Sequence, residues 1–457
     1  MKFKRIKKLH FVGIGGTGMC GIAEVLFNLG YTISGSDMRK TEVTEYLQNQ
    51  GITVGYKHGE ANINGADVVV YSSAVTKDNP ELIAAAARKI PAISRAEMLA
   101  ELMRMKFSIA VAGTHGKTTT TSLIGHILNS VDLDPTVIVG GRVLGVGTNA
   151  YVGKGDYIVA EADEFDRSIL RFYPTVAVIT SIEPEHMECY EDLDDLNNCF
   201  VEFASRVPFY GSIIYCLDDP GLRQVRTRFS RPSISYGFSR HADLYAVDIS
   251  FSVDGASFTC RSNGNVLGSA KVPLLGKHNV LNSLAALAAA MDLEVPFEKA
   301  AAALATFPGV GRRLEMIGEG NGIRVYDDYA HHPTEIKATL EGIRQSFPGK
   351  IAVVFQPHLY SRTKTFLDDF GSSFFDSDIL VVTDIYPARE KPIKGVTGEV
   401  VAKAAAGSGH KQAKYIENKK EIAAYLKSKL RSGDLVVVIG AGDIYRLSPD
   451  IVKELKK

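Results

Sequence analysis

The sequence predicts an α/β protein of three domains built on parallel sheets, and three observations carry that reading. Short β-branched runs recur with helical stretches between them, at Leu9 to Ile14, Ser108 to Ala112, Tyr157 to Ala160, Val176 to Ser181, Ile351 to Phe355 and Leu435 to Ile439, which is the pattern of repeated βαβ units. A strand, Gly-rich turn and helix unit occurs more than once. The 457 residues also exceed the roughly 100 to 200 that one domain usually takes.

The first domain is assigned to residues 1–106 and is expected to be Rossmann-like. Its opening strand runs into Gly13-x-Gly15-Gly16-x-Gly18-Met19, and Asp37 lies where the ribose-binding acid of a dinucleotide fold would stand. A helix N-terminus in such a turn binds a diphosphate beside a ribose. NAD and a UDP-sugar offer both features equally, and glycines serving only tight helix–strand packing are a third reading. A Glu-, Leu- and Met-rich helical stretch ends near Met105, where the next buried strand begins at Ser108.

The second domain, residues 107–308, carries the strongest local signal, Gly113-Thr-His-Gly-Lys-Thr-Thr-Thr-Thr121. Following a strand and opening a helix, it can present backbone N–H groups to an anion, with a lysine for the β- and γ-phosphates and a threonine hydroxyl for Mg²⁺. It is shorter than the strict G-x-x-x-x-G-K-[ST] form, whose first glycine would fall on Val111. Two acidic stretches lie beyond strand ends, Glu161-Ala-Asp-Glu-Phe-Asp166 and Glu183-Pro-Glu-His-Met187. Oxygen ligands there suit Mg²⁺, and His186 could add a nitrogen; solvated loop carboxylates are the plainer alternative. Between Tyr236 and Val272, alternation with Asp254-Gly255 and Asn263-Gly264 turns predicts a small antiparallel β-subdomain.

The third domain, residues 309–457, follows the breaker segment Pro308 to Arg313 and is expected to be Rossmann-like again. Asp327-Asp-Tyr-Ala-His-His-Pro-Thr334 ends a strand and starts a helix, with Pro333 suited to the first turn. Phe355-Gln-Pro-His-Leu-Tyr-Ser-Arg-Thr363 repeats the geometry. Vicinal histidines and an arginine at strand ends suit carboxylate and phosphate binding, although single histidines more often cap helices or sit at the surface.

Composition narrows the partners. Lys plus Arg and Asp plus Glu are 52 each, and no block of like charge points to nucleic acid or a membrane surface. The basic start is broken at once by glycines, unlike a signal peptide, and the Ala-rich stretch Leu284 to Met291 is far below the roughly 20 apolar residues of a membrane span. A cytoplasmic protein is expected. Five cysteines without C-x-x-C spacing predict reduced, mostly buried thiols and no zinc site.

Taken together, the Gly-Thr-His-Gly-Lys-Thr-Thr loop, Glu-Pro-Glu-His-Met, Gly276-Lys-His-Asn-Val-Leu-Asn282, Arg312-Arg313 and Asp-Asp-Tyr-Ala-His-His-Pro resemble the Mur ligase family in order and spacing, across all three thirds of the chain. The resemblance implies ATP-dependent ligation of L-alanine to the lactyl carboxylate of UDP-N-acetylmuramate through an acyl phosphate, with Mg²⁺, in a monomer or homodimer. It implies that Lys117 and the backbone from Gly113, Thr114, His115 and Gly116 to Thr118 and Thr119 bind the ATP phosphates. Thr118, Glu161 and His186 would hold magnesium, with Lys117, Glu161 and His186 as the catalytic set. Asn279 and Asn282 would reach the adenine, Asp328 the ribose and Arg313 the triphosphate. Gly15, Gly16, Thr17, Gly18 and Met19 would cradle the UDP diphosphate with Asp37 on the uridine side, and His331, His332 and Arg362 would face the amino acid. The C-terminal domain would swing onto the central one, with Pro308 to Arg313 as hinge. Leu359 stands where relatives often carry Arg or Thr, and no lysine lies between Lys154 and Lys271 to supply the carbamylated lysine of some siblings. A ligase taking a ready-made tripeptide is the alternative within the family; an NAD-dependent dehydrogenase with an appended ATPase, or a non-catalytic nucleotide switch, are those outside it.

Overall fold

The computed structural model describes residues 3, 5–72, 74–140, 150–185, 187, 189–388 and 390–457. The chain divides into two compact units: Met1–Val247 with Thr259–Ala270 and Leu281–Phe307, and Asp248–Phe258 with Lys271–Val280 and Pro308–Lys457.

In the first unit, β1 (Lys8–Val12), β2 (Thr32–Ser36), β3 (Thr53–Gly55), β4 (Val68–Tyr71) and β5 (Ala92–Ser94) form a sheet in the order β3-β2-β1-β4-β5, parallel throughout. Leu9, Phe11 and Val12 on the central strand are buried, as a strand covered on both faces requires. The strand order reverses at β1. The crevice beyond its carboxyl end is therefore a topological switch point, the place where ligand sites form in such sheets. The glycine loop lies there, ahead of the helix Thr17–Asn28.

The second sheet contains β6 (Phe107–Ala112), β7 (Thr136–Ile138), β8 (Ala150–Tyr151), β9 (Tyr157–Glu161), β10 (Val176–Ile179), β11 (Ser212–Cys216), β12 (Ser233–Gly237), β13 (Leu244–Ser252), β14 (Gly255–Ser262) and β15 (Asn265–Val272). Their order is β15-β14-β13-β12-β11-β10-β6-β9-β7-β8. From β12 to β7 the pairing is parallel, and β8 is an antiparallel edge. The three strands expected after Tyr236 are present. Asn263 and Gly264 have φ of 49° and 83°, the left-handed pair that a two-residue hairpin turn demands. They continue the central sheet, because β13 pairs in parallel with β12 through Tyr236↔Leu244 and Gly237↔Tyr245. The reason is written along β13, whose first three residues are buried before alternation begins.

The second unit holds β16 (Glu315–Gly320), β17 (Ile323–Asp328), β18 (Ile351–Phe355), β19 (Ile379–Val382), β20 (Ala413–Tyr415) and β21 (Leu435–Ile439), in the order β16-β17-β21-β18-β19-β20. All pair in parallel except the β16 edge. Successive residues of β18 serve opposite cores, as the two-residue period of a strand requires. Ile351, Val353 and Phe355 pack with Ile336, Leu340, Phe370 and Val401, whereas Ala352 and Val354 pack with Ile422, Leu426, Ile451 and Leu455. Cys20, Cys199, Cys216 and Cys260 are buried free thiols and Cys189 is half-buried.

Candidate active site

The central loop runs from β6 to the helix Lys117–Ser130. Gly113 has φ of 128° and Gly116 of 81°. A Cβ at Gly113 would lie 2.2 Å from Thr180 Oγ1 and 2.9 Å from Ser181 N, and one at Gly116 would lie 2.5 Å from Asn282 Oδ1. Both positions thus exclude a side chain by conformation and by space. The loop is tied to the exit of β10, since Thr114 N donates to Ser181 O at 3.0 Å and His115 N to Ser181 Oγ at 3.0 Å. Thr118 is half-exposed in the first helical turn, and Thr119 is buried. Asn282 accepts from Thr120 Oγ1 at 3.3 Å, so its place is on the floor of this loop.

The register brings acidic residues to both sides. Val111 pairs with Glu161 on β9, and Ala112 with Ile179 on β10. Glu161 Oε1 accepts from Gly140 N at 2.9 Å. On the other side, Glu183 N donates to Thr114 Oγ1 at 2.9 Å, and its carboxylate lies 3.3 Å from His115 Nε2. His186 lies outside the described residues.

Lys117 Nζ donates to Gly113 O at 2.6 Å and Thr114 O at 3.3 Å, and lies 3.0 Å from both oxygens of Glu164. Burial alone would pull its pKa down, but Glu164 and then Asp163 more than offset this and hold the ammonium above the ordinary lysine value. Glu164 is only 1% exposed and had no role in the sequence reading. Its place in the six-residue stretch Glu161 to Asp166 gives no sign that it, unlike Glu161, turns inward.

Over β1, Gly13 has φ of 80°. Gly15 N donates to Asp37 Oδ2 at 2.9 Å, and Arg39 N to Asp37 Oδ1 at 3.1 Å. Asp37 therefore folds against the glycine loop instead of standing clear of it. Gly16 is the N-cap of the helix that Thr17 and Gly18 open. The Met19 side chain is 1% exposed and belongs to the core, which leaves it no side-chain contact to offer a diphosphate. A Cβ at Gly18 would lie 2.7 Å from Arg95 Nη1. Arg95, missed by the sequence reading, starts a helix at the end of β5 and lies 3.9 Å from Asp163. The available signal was its place after a strand of the same sheet.

In the second unit, Arg312 (φ 59°) and Leu314 (φ 49°) are left-handed and flank Arg313. Arg312 Nε donates to Asp327 Oδ2 at 2.9 Å, and its guanidinium sits 4.9 Å and 4.5 Å from the Tyr329 and Tyr445 ring centres. Arg313 Nη1 lies 3.7 Å from Glu335 Oε1. Of the segment Pro308 to Arg313, the last two residues are thus fixed to this unit. Asp328 accepts from Leu314 N at 2.8 Å and Ala330 N at 2.9 Å, and burial raises its pKa. Asn279 Nδ2 donates to Leu275 O at 2.8 Å.

His332 caps the helix Pro333–Ser346, its Nδ1 accepting from Thr334 N at 3.3 Å, and Pro333 takes the first helical position as expected. His331 Nδ1 lies 3.4 Å from Glu335 Oε2. Its ring centre is 6.0 Å from that of His358, which stacks on Tyr386 and lies 3.4 Å from Arg362. Burial, then His331 and Arg362, push the His358 pKa down to about 4, so the ring is neutral at physiological pH. Leu359 has φ of 69°, a costly backbone for leucine. It is held by its N–H to Tyr386 O at 3.0 Å and by Thr363 Oγ1 donating to its carbonyl at 2.7 Å.

Comparison with known proteins matches every part of the chain. Models described as the Mur ligase family catalytic domain, the Mur ligase middle domain and the Mur ligase glutamate ligase domain match residues 8–107, 111–290 and 312–442. A UDP-N-acetylmuramate–L-alanine ligase of Geotalea uraniireducens is 47% identical over 99% of both chains. One of Myxococcus xanthus is 48% identical over 100% of this chain and 96% of its own. Among solved structures, the UDP-N-acetylmuramate-alanine ligase MurC of Thermotoga maritima superposes with a TM-score of 0.83 at 29% identity, covering 98% of each chain. A murein peptide ligase of Psychrobacter arcticus gives 0.71 at 26% identity, covering 99% of each.

Proposed function

The chain belongs to the Mur ligase family, and on that footing we propose that it joins L-alanine to the lactyl carboxylate of UDP-N-acetylmuramate, with ATP giving ADP and phosphate. Within the molecule, the observation that carries this reading is Lys117, held at the head of a helix that follows the buried strand β6, whose Val111 pairs with Glu161 at the end of β9.

A carboxylate is a poor electrophile, so amide formation needs its oxygen converted into a leaving group. Transfer of the γ-phosphoryl group of ATP to the lactyl carboxylate does this, and the free amine of alanine then attacks the acyl phosphate. Phosphoryl transfer depends on positioning and charge stabilisation. The N–H groups heading the Lys117 helix and the Lys117 ammonium meet those needs. The oxygen donors Thr118, in the first helical turn after β6, and Glu161, at the end of the neighbouring β9, suit a hard divalent ion, and with His186 would hold Mg²⁺. A bound Mg²⁺ supplies charge neutralisation at the phosphates. Asn282 shapes the loop from below, and Arg313 and Asp328 are assigned to the triphosphate and ribose. The glycine loop at the β1 switch point is assigned to the UDP moiety, with Arg95 as a cation beside it. His331, His332 and Arg362 are assigned to the amino acid, with neutral His358 beside His331 and Arg362. In the same proposal His332 orients its helix, the protein works in the cytoplasm, and its oligomeric state is monomer or homodimer.

The test is phosphate release from ATP with each substrate omitted in turn. The reading requires release only with UDP-N-acetylmuramate and L-alanine both present. Release with NAD-linked absorbance changes, or only with a tripeptide, would move the protein to one of the alternatives.

A further inference from the structure

We propose that Glu164 occupies the place of the nucleotide's terminal phosphate while the central loop is empty, and must leave Lys117 when a triphosphate binds. This rests on reading Gly113–Thr119 as the ATP loop.

An ammonium has three protons to donate. Those of Lys117 are directed at Gly113 O, at Thr114 O and at the two Glu164 oxygens, each of these oxygens 3.0 Å away. The two carbonyls are part of the loop, whose path is set by Gly113 with its φ of 128° and by the bonds from Thr114 and His115 to Ser181. They cannot move aside without dismantling the phosphate cradle. Glu164 is a side chain from another segment, so it is the partner that can be exchanged.

A carboxylate facing an ammonium with both oxygens presents what a phosphoryl group presents, two acceptor atoms and negative charge. Both anions cannot share this lysine well. Glu164 is 1% exposed, so no water screens it from an arriving phosphate. The γ-phosphoryl group, which the loop lysine must reach, is the one that competes. A diphosphate brings only its β-phosphoryl group to the lysine and so meets less of that conflict. The carboxylate thus keeps the lysine protonated and in place in the empty loop, and lowers triphosphate affinity selectively.

The test uses the full chain and compares Kd values for Mg·ADP and for the non-hydrolysable imido analogue of Mg·ATP by titration calorimetry. Glu164→Gln removes the competing charge and should tighten analogue binding about tenfold, the equivalent of one exchanged charge-assisted bond, while changing ADP binding less than about threefold. Glu164→Asp, which keeps the charge, should leave the ratio of the two affinities near that of the parent. Weaker analogue binding in Glu164→Gln, equal shifts for both nucleotides, or a ratio that moves as far in the Asp variant would overturn the proposal. If the parent binds neither nucleotide, the ATP-loop reading fails; if it binds both and the Gln variant does not discriminate, only the role of Glu164 fails.

Discussion

Replacing Lys117 with Ala should do two separable kinds of damage. The first is chemical, because the ammonium is lost from the transferring phosphate and turnover should fall by several orders of magnitude. The second is structural. Glu164, 1% exposed, loses the cation that both its oxygens face. Removing one partner of a buried pair costs about 3 to 5 kcal/mol; the 17% exposure of the Lys117 side chain argues for the lower end, about 3 kcal/mol. The Glu164 carboxyl is already raised by burial and rises further without Lys117. A folded-state pKa above the unfolded one gives a penalty that is absent in acid and grows as pH rises through the folded value. Urea unfolding should therefore show Lys117→Ala losing about 3 kcal/mol at pH 8 and clearly less at pH 5. The double variant Lys117→Ala/Glu164→Gln should recover most of the stability and none of the turnover. Equal destabilisation at both pH values, or no recovery in the double variant, would refute the buried-pair account.

Gly116→Ala places a Cβ 2.5 Å from Asn282 Oδ1 at φ of 81°. Left-handed strain of about 1 to 2 kcal/mol plus that clash should weaken ATP binding at least tenfold in calorimetry, with little change for UDP-N-acetylmuramate. Asp219 accepts from Ile182 N and Leu222 N through one oxygen, and burial raises its carboxyl to about 6. Its ionisation therefore costs stability as pH rises through 6. Asp219→Asn keeps both bonds and should gain roughly 2 to 3 kcal/mol at pH 8 and about half that at pH 5 in denaturant titrations. For the incoming amine, one methylene changes binding by only about 1 to 3 kcal/mol, so glycine and L-serine should be slow substrates while D-glutamate and the tripeptide are inert. Arg362→Ala should raise the KM for L-alanine far more than that for ATP.

The parts of this molecule legible in the sequence are those whose signal is local. The apolar runs at Ile109–Ala112 and Ile351–Phe355 are buried strands, and Gly113, Gly116 and Lys117 stand in the loop that their spacing implies. Asn263-Gly264 makes its turn for the same reason. What was illegible depends on pairing across distance. The apolar start Leu244-Tyr245-Ala246 marks a covered segment, but nothing in it names β12 as the strand it will pair with. Glu161 and Glu164 read alike in the chain, yet one meets a backbone N–H at the strand end and the other is buried against the half-buried Lys117. Met19 reads as part of a glycine motif, but its helical position turns it into the core. His332, expected at the amino-acid site, also caps its helix through Nδ1, the commoner role of a single histidine. Arg95 and His358 gain their positions from strand order and from a stacked tyrosine that no short window contains.

The central claim is that a carboxylate oxygen of the UDP-sugar leaves with the phosphate. UDP-N-acetylmuramate labelled with ¹⁸O in its lactyl carboxylate, turned over with ATP and L-alanine, tests this directly by mass spectrometry of the released phosphate. The acyl-phosphate route predicts one labelled oxygen in each phosphate formed; label found in AMP, or phosphate formed without label, would contradict it.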